Sequence, residues 1–250
     1  MKMMKDVFKR REIKYVLTSK QAALLRQIAS KYMVEDKFGR SNVKSIYFDT
    51  PNYVLIRRSL EKPLYKEKFR IRFYGEAGAG DDVFLEIKKK LKHVVYKRRV
   101  KLEYQEALDF MAGKNDQEVF IDKSSNELQI LKELQYARDF YGGLIRSAHI
   151  EYDRIALTGI EDKNLRLTFD CNICMVSEGA KNEETQLHRI LPEGKVLLEV
   201  KTLNGLPLWL REFMGKEKIT KGSFSKYGEA YKQCIKGSFD YEGFEERRVG

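Results

Sequence analysis

Charged and apolar residues alternate with a period of two along most of this chain, the signature of strands whose two faces meet different surroundings. On that pattern strands are predicted near 10–17, 43–49, 65–74, 83–91, 94–104, 148–157, 164–174 and 195–202. Helices are fewer. Thr18 and Gln21 form a capping-box pair opening a helix that runs to about Met33, with Leu24, Leu25, Ile28 and Tyr32 on one side. Residues 124–141 carry Leu128, Leu131, Leu134 and Ala137 at helical spacing, and a last helix is predicted over about 226–236. Gly75–Asp82, 112–124 and 177–187 read as polar loops, and 237–250 as a charged tail after a single domain over 1–236.

Residues i, i+2 and i+4 of a strand project together, so the pattern also shows which charges share a face. Lys68, Arg70 and Arg72 oppose Phe69, Ile71 and Phe73, while Glu86, Lys88 and Lys90 oppose Val83, Leu85 and Ile87. Lys97, Arg99 and Lys101 form a third row. Glu12 with Lys14, Tyr152 with Arg154, Arg166 with Thr168 and Asp170, and Glu199 with Lys201 continue the pattern. An ordinary solvated sheet face mixes signs and neutral polar residues. Here Arg and Lys recur in the middle of strand after strand, and like charges about 7 Å apart repel by roughly 2 kcal/mol per pair at an effective dielectric of 20. A polyanion would offset that crowding, most of all inside a barrel whose low-dielectric walls focus the field.

Composition agrees. The 250 residues include 48 Lys and Arg against 37 Asp and Glu, a formal charge of +11, yet 42% hydrophobic residues are enough for a core and exclude a disordered chain. No run of about 18 apolar residues occurs, and the charged N-terminus leads into no apolar signal segment, so neither membrane insertion nor export is predicted. Three cysteines, an odd number, point to a reducing compartment and a cytoplasmic protein. Cys171 and Cys174 lie in a predicted strand without a second pair, and His93, His149 and His188 lack metal-ligand spacing. No P-loop or nucleophile elbow is present, and Gly75, Gly78 and Gly80 read as a hairpin loop rather than a dinucleotide fingerprint.

Several short stretches now fall into one order: Arg11-Glu-Ile-Lys14-Tyr15, Ser45-Ile-Tyr-Phe-Asp-Thr50, Phe69-Arg-Ile-Arg-Phe-Tyr74, Leu85-Glu-Ile-Lys88, Tyr96-Lys-Arg-Arg99, Tyr152-Asp-Arg154, Leu165-Arg-Leu-Thr-Phe-Asp170, Leu198-Glu-Val-Lys201 and Phe224-Ser-Lys-Tyr227. Over about residues 8–236 the chain resembles the VTC domain, the polyphosphate polymerase branch of the CYTH or triphosphate tunnel metalloenzyme superfamily. The resemblance implies an α+β fold built on an eight-stranded antiparallel barrel with flanking helices, its lumen formed by the basic face. It implies phosphate binding by Lys14, Arg70, Arg72, Lys88, Lys97, Arg154, Arg166 and Lys226, with Arg99 and Lys201 added and Tyr152 and Ser225 as further donors. Arg70, Arg72, Lys88, Arg154 and Lys226 are expected to do the catalytic positioning. Glu199 matches a metal-binding glutamate for Mn²⁺ or Mg²⁺, with Glu86 and Glu12 assisting, and Lys68, Lys90 and Lys101 are expected at the rim.

One departure separates the branches. Hydrolytic and cyclase members of the superfamily begin with Glu-x-Glu-x-Lys, whereas this chain has Arg10-x-Glu12-x-Lys14. Fewer carboxylates weaken a two-metal or base-activated water mechanism, while transfer to a phosphate that is already an anion needs no general base. The implied activity is transfer of the ATP γ-phosphate to a growing polyphosphate chain; a tunnel triphosphatase and a non-catalytic polyphosphate or RNA binder are the rivals. The aromatics lie mainly opposite the basic face, which argues against nucleic acid as partner. Any movement of product across a membrane would need a separate membrane partner.

Overall fold

The computed structural model describes residues 11–92, 94–177, 186–203 and 205–236. His93, the tail from 237 and most of the loop expected over 177–187 lie outside the described residues. In chain order the elements are β1 (Arg11–Thr18), α1 (Ser19–Ala29), β2 (Met33–Asp49), α2 (Val54–Leu60), β3 (Tyr65–Tyr74), β4 (Asp82–Leu91), β5 (Val94–Glu103), α3 (Tyr104–Met111), α4 (Asp116–Val119), α5 (Ser125–Phe140), β6 (Ile145–Gly159), β7 (Arg166–Ser177), β8 (Gln186–Arg189), β9 (Lys195–Thr202), α6 (Leu208–Lys216) and α7 (Lys226–Ala230), which continues into a π-helical turn at Tyr231–Ile235.

The strands form one antiparallel sheet in the order β1-β9-β7-β6-β2-β3-β4-β5, with β8 paired to β7. The predicted strands are all present, but β2 starts at Met33 rather than near 43, and β8 was not foreseen. A register shift between Glu35 and Arg40 breaks the alternation of β2, which hides its first half from a period-two reading. The Cys171–Cys174 stretch carries a second irregularity, with Asn172 at φ +50°.

The capping box of α1 is present: Gln21 N–H donates to Thr18 Oγ1 at 3.2 Å and Thr18 N–H to Gln21 Oε1 at 2.9 Å. The helix ends at Ala29, however, and its buried residues are Ala22, Leu25 and Ala29, while Leu24 and Tyr32 are exposed. Two alanines let the helix lie close on the sheet, so the packed stripe is rotated away from the larger side chains. The helix expected over 124–141 forms as α5 with Ser124 as its cap, burying Leu131, Leu134 and Ala137, and the loop expected at 112–124 holds α4.

The expected closed barrel is corrected to an open sheet: edge strands β1 and β5 do not pair among the described residues. The sheet is nevertheless strongly curled. Laid flat, β1 and β4 would stand six strand spacings, about 29 Å, apart. Yet Glu12 on β1 reaches within 3.9 Å of Lys88 Nζ on β4, so the charged face is folded inward on itself. Gly222 lies beside β1, its N–H donating to the Lys14 carbonyl at 2.9 Å, and covers part of the gap. The free edge of β5 carries Lys97, Arg98, Arg99 and Lys101, charges that oppose edge-to-edge association.

Apolar residues divide into three groups. Helices α3, α4 and α5 pack on the convex face of β2–β5, around Phe69, Ile71, Leu85, Phe110 and Leu131. Helices α1 and α6 pack on the convex face of β1, β9 and β7, around Leu17, Leu25, Leu167, Leu198 and Leu210. A third group, including Tyr47, Tyr152, Leu197, Tyr227 and Tyr231, lies on the concave side, where α7 and the π-helical turn fill one end of the curl. Gly228 makes that seat possible, since a Cβ there would stand 3.1–3.2 Å from Ser225 and Leu60 side-chain atoms.

Candidate active site on the concave face

Cross-strand register places the predicted site residues side by side: Lys14 faces Glu199, Glu199 faces Thr168, Arg154 faces Asp170, Ser45 faces Arg72, Tyr47 faces Arg70, Arg70 faces Glu86, Glu86 faces Arg99, and Lys88 faces both Lys68 and Lys97. The curl and α7 then bring the two ends of this row together. Lys14 Nζ donates to the Phe224 carbonyl at 2.9 Å, and Lys68 Nζ to Ser225 Oγ at 2.8 Å.

One cluster is built on β6, β7, β9 and α7. Arg154 grips Asp170 with both ends of its fork, Nε to Oδ1 at 2.6 Å and Nη2 to Oδ2 at 2.7 Å, and Lys226 Nζ donates to the same Oδ2 at 2.6 Å. Glu199 lies 3.2 Å from Lys14 Nζ, 3.7 Å from Lys226 Nζ and 3.9 Å from Arg154 Nη2. Burial disfavours its charge, but Lys226, Lys14 and Arg154 outweigh that and hold its carboxyl well below the usual carboxylate range. The Tyr152 ring backs the cluster, with Lys226 Nζ 4.3 Å and Arg154 Cζ 5.2 Å from its centroid.

A second cluster spans β2, β3, β4 and β5. Glu86, 2% exposed, accepts from Arg70 Nε at 2.7 Å on one oxygen and meets Lys97 Nζ at 2.7 Å with the other. Burial alone would raise its pKa; Arg70, Arg72 and Lys97 together bring it down to about 2. Lys97 in turn is lowered to about 8, burial outweighing the attraction of Glu86. Arg70 also donates to Tyr47 Oη at 3.2 Å.

Arg72 differs from its neighbour. Its Nε is buried without a hydrogen-bond partner and stands 3.9 Å from Glu86, and its Nη2 reaches Tyr152 Oη only at 3.5 Å. Ser45 Oγ, directly across from it, and Thr168 Oγ1, directly across from Glu199, are likewise buried without protein partners. Buried polar groups are normally paired, so unspent donors collected on one face mark where an anion would sit. The family motifs contain Ser45, Tyr47 and Thr168 but assign them no role. Strand parity already sets Thr168 on the charged face, and it could have found Ser45 and Tyr47 too, because each lies in register with a predicted site residue.

The remaining expected residues are more peripheral. Arg166 pairs with Asp36 at 2.8 Å, Arg99 lies exposed with its guanidinium 4.5 Å from the Phe84 ring centroid, and Lys88 is exposed at the mouth of the curl. Lys201 is half-buried near Glu199 and Arg166, and desolvation lowers its pKa. Ser225 is the N-cap of α7, accepting from Gly228 N–H at 3.2 Å. Lys68, expected at the rim, is instead turned inward against α7, while Lys101 is exposed and pairs with Asp82 at 2.9 Å.

Among the described residues no three His, Cys, Asp or Glu side chains gather as a metal-ligand set. Both oxygens of Glu86 are committed to cations, and Glu12 shares its charge between Lys14 at 3.7 Å and Lys88 at 3.9 Å. Glu86 and Glu12, expected to assist Glu199, do not gather with it into one ligand group among the described residues. Glu199 is itself paired with Lys14 at 3.2 Å, and of the three it is the carboxylate that would anchor a divalent cation, whose charge would help neutralise bound phosphate.

Among the described residues no helix is long and apolar enough to cross a membrane. Comparison with curated protein sequences gives no match. Among solved structures, the chain is similar to a candidate adenylate cyclase from Vibrio parahaemolyticus, at 10% identity over 88% of this chain and 97% of that one, with a TM-score of 0.45. It is also similar to a chain of the Schizosaccharomyces pombe Mediator head module, at 8% identity over 84% and 90% of the two chains, with a TM-score of 0.38. Likenesses so distant bear on neither fold nor function. The family comparison is of a different order: the VTC domain model matches residues 9–235, nearly the whole chain, and the protein belongs to the VTC domain family.

Proposed function

We propose that this protein is a polyphosphate polymerase, which transfers the γ-phosphoryl group of ATP to the terminal phosphate of an inorganic polyphosphate chain and releases ADP. The observation that carries this reading is the collection of unspent donors, Arg72 Nε, Ser45 Oγ and Thr168 Oγ1, on a curled face already crowded with cations. In the reaction the bond from the γ-phosphorus to the β,γ-bridging oxygen breaks, its electron pair leaving with ADP, and a terminal oxygen of the polyphosphate forms the new bond. Such a transfer is loose, with charge spread over the three equatorial oxygens, so positioning and neutralisation supply most of the catalysis.

Arg72, which reaches the Tyr152 hydroxyl, and Arg154, which lies against the Tyr152 ring, are the natural clamps for donor and acceptor phosphates, with Lys226 and Lys14 completing the cation wall. Glu86 and Asp170 fix Arg70, Arg154 and Lys226 in place, a positioning role rather than proton transfer, since the surrounding cations keep both carboxylates ionised. Neither is available as a general base for water, which favours transfer over hydrolysis. Glu199 would hold Mn²⁺ or Mg²⁺, which would neutralise charge on the phosphate oxygens.

Incubation of purified protein with ATP and Mn²⁺, followed by electrophoresis of the products, tests the proposal. Long phosphatase-sensitive chains together with ADP are expected. ADP with free orthophosphate alone would replace the polymerase with a triphosphatase.

A further inference from the structure

Beyond Arg70 the same face of β3 continues as Lys68 and Lys66, and the facing strand β4 as Lys88 and Lys90. Register sets Lys68 opposite Lys88 and Lys66 opposite Lys90, so four ammonium side chains share one patch, about 5 Å apart at Cβ across the pair. Their partners are not anions: Lys66 donates to the Ser59 carbonyl at 3.2 Å and Lys68 to Ser225 Oγ at 2.8 Å. The nearest carboxylate in an ion pair is Glu12, 3.9 Å from Lys88 and shared with Lys14.

The opposite face of the same hairpin shows that this is not a shortage of acids. Lys89 there is 2.7 Å from Glu133 and 4.0 Å from Glu67. On the convex side a carboxylate sits close to the lysine, whereas among the described residues the four concave lysines have only Glu12 within ion-pair distance. Crowding of this kind costs energy in the free protein, and the cost is visible at Lys68, whose pKa falls to about 7 through burial and the fields of Lys66, Lys14, Lys88 and Arg70. A ligand that brings several regularly spaced negative charges removes that cost along the whole row at once.

Resting on the polyphosphate reading above, we propose that Lys66, Lys68, Lys88 and Lys90 form a second anion-binding stretch, which holds the phosphate units of a long polyphosphate beyond those gripped at Arg72 and Arg154. The row thereby discriminates by chain length: a short phosphate ester fills the clamp alone, and a long chain fills both.

Isothermal titration without ATP or metal, in EDTA, with tripolyphosphate and with long-chain polyphosphate as separate ligands, separates the two. The wild-type protein should bind the long chain more tightly. The double substitution Lys66→Ala with Lys90→Ala removes two partly exposed side chains that form no ion pairs among the described residues, so its thermal midpoint should match wild type. It should lose about tenfold in long-chain affinity while tripolyphosphate stays within about twofold. Equal losses for both ligands, or no loss for either, would overturn the proposal. A wild-type protein that binds tripolyphosphate but gains nothing with chain length refutes the lysine row alone, whereas one that binds neither ligand refutes the underlying reading as well.

Discussion

The concave face carries two basic regions made by the same strand parity and solved in opposite ways. On β6, β7, β9 and α7, Asp170 and Glu199 are set among Arg154, Lys226 and Lys14. On β3 and β4, by contrast, the patch from Lys66 to Lys90 has almost no counter-charge of its own. The first region is assembled before any ligand arrives and contributes to holding α7 against the sheet. The second is held by the surrounding fold against its own repulsion. If this contrast is real, removing an acid should damage the fold in the first region, and removing a base should cost only binding in the second.

The largest effect is expected at Asp170. It is fully buried, and Asp170→Asn would leave Arg154 and Lys226 without their shared anion. Breaking a buried pair by deleting one partner costs about 3–5 kcal/mol, which lowers the thermal midpoint by roughly 10 °C in a chain of this size. Thermal unfolding with and without tripolyphosphate checks this, and a midpoint within a degree or two of wild type would dissolve the distinction between the regions.

Glu86 gives a slightly smaller effect with a pH signature. Its pKa is lowered from 4.5 to about 2 despite burial, by Arg70, Arg72 and Lys97. A depressed carboxylate stabilises the fold fully above its ordinary pKa and loses that contribution as pH falls from about 4.5 through about 2, an amount on the order of 3 kcal/mol. Urea unfolding across that window should show the decline in wild type and flatten it in Glu86→Gln. The same decline in both proteins would place its origin elsewhere.

Within the clamp, Arg70 and Arg72 should part company. Arg70 is held by Glu86 and Tyr47, so Arg70→Ala should injure both stability and activity. The unpartnered Nε of Arg72 makes it a poor structural element, and Arg72→Ala should lower kcat about 10²-fold while leaving the urea midpoint nearly unchanged. A loss of stability equal to that of Arg70→Ala would mean that Arg72 is structural too.

These contrasts were partly legible in the sequence. Period-two alternation identified the basic face because side-chain direction in a strand is fixed by parity, and every predicted site residue that lies on a strand stands on the concave side. Long-range geometry was not legible. Whether Lys68 sits at a rim or against Ser225 depends on where α7 docks, far along the chain, and no local pattern encodes that distance. Similarly, Glu86 and Glu199 look alike as single acids between bases on a strand and each meets three cations, yet two of them come within 2.7 Å of Glu86 and none closer than 3.2 Å to Glu199, because the partners come from different elements. The failure of β1 and β5 to pair belongs to the same class: hydrophobic patterning selects faces, not the closure of a sheet.

The smallest expected effect falls on Lys68, where the second region can be tested by proton count. Lys66 and Arg70 flank it on β3, Lys14 reaches it from β1 beside Glu12, Lys88 faces it from β4, and Ser225, the N-cap of α7, accepts its hydrogen bond. Burial and these cations lower its pKa from 10.5 to about 7, so the neutral amine is favoured in the fold. The resulting loss of stability is absent above the ordinary pKa and complete below about 7; stability rises with pH as it does at Glu86, but here the buried charge weakens the fold instead of supporting it. A bound polyanion opposes every one of those repulsions and draws a proton back onto Nζ. Long-chain polyphosphate binding at neutral pH should therefore take up a fraction of a proton, measurable by titration in buffers of different ionisation enthalpy. Its affinity should weaken between pH 6 and 8, by at most about tenfold per unit. Lys68→Arg keeps the charge permanently, so it should bind with no proton uptake at this position and a flatter pH profile; an unaltered uptake would assign the proton to another group.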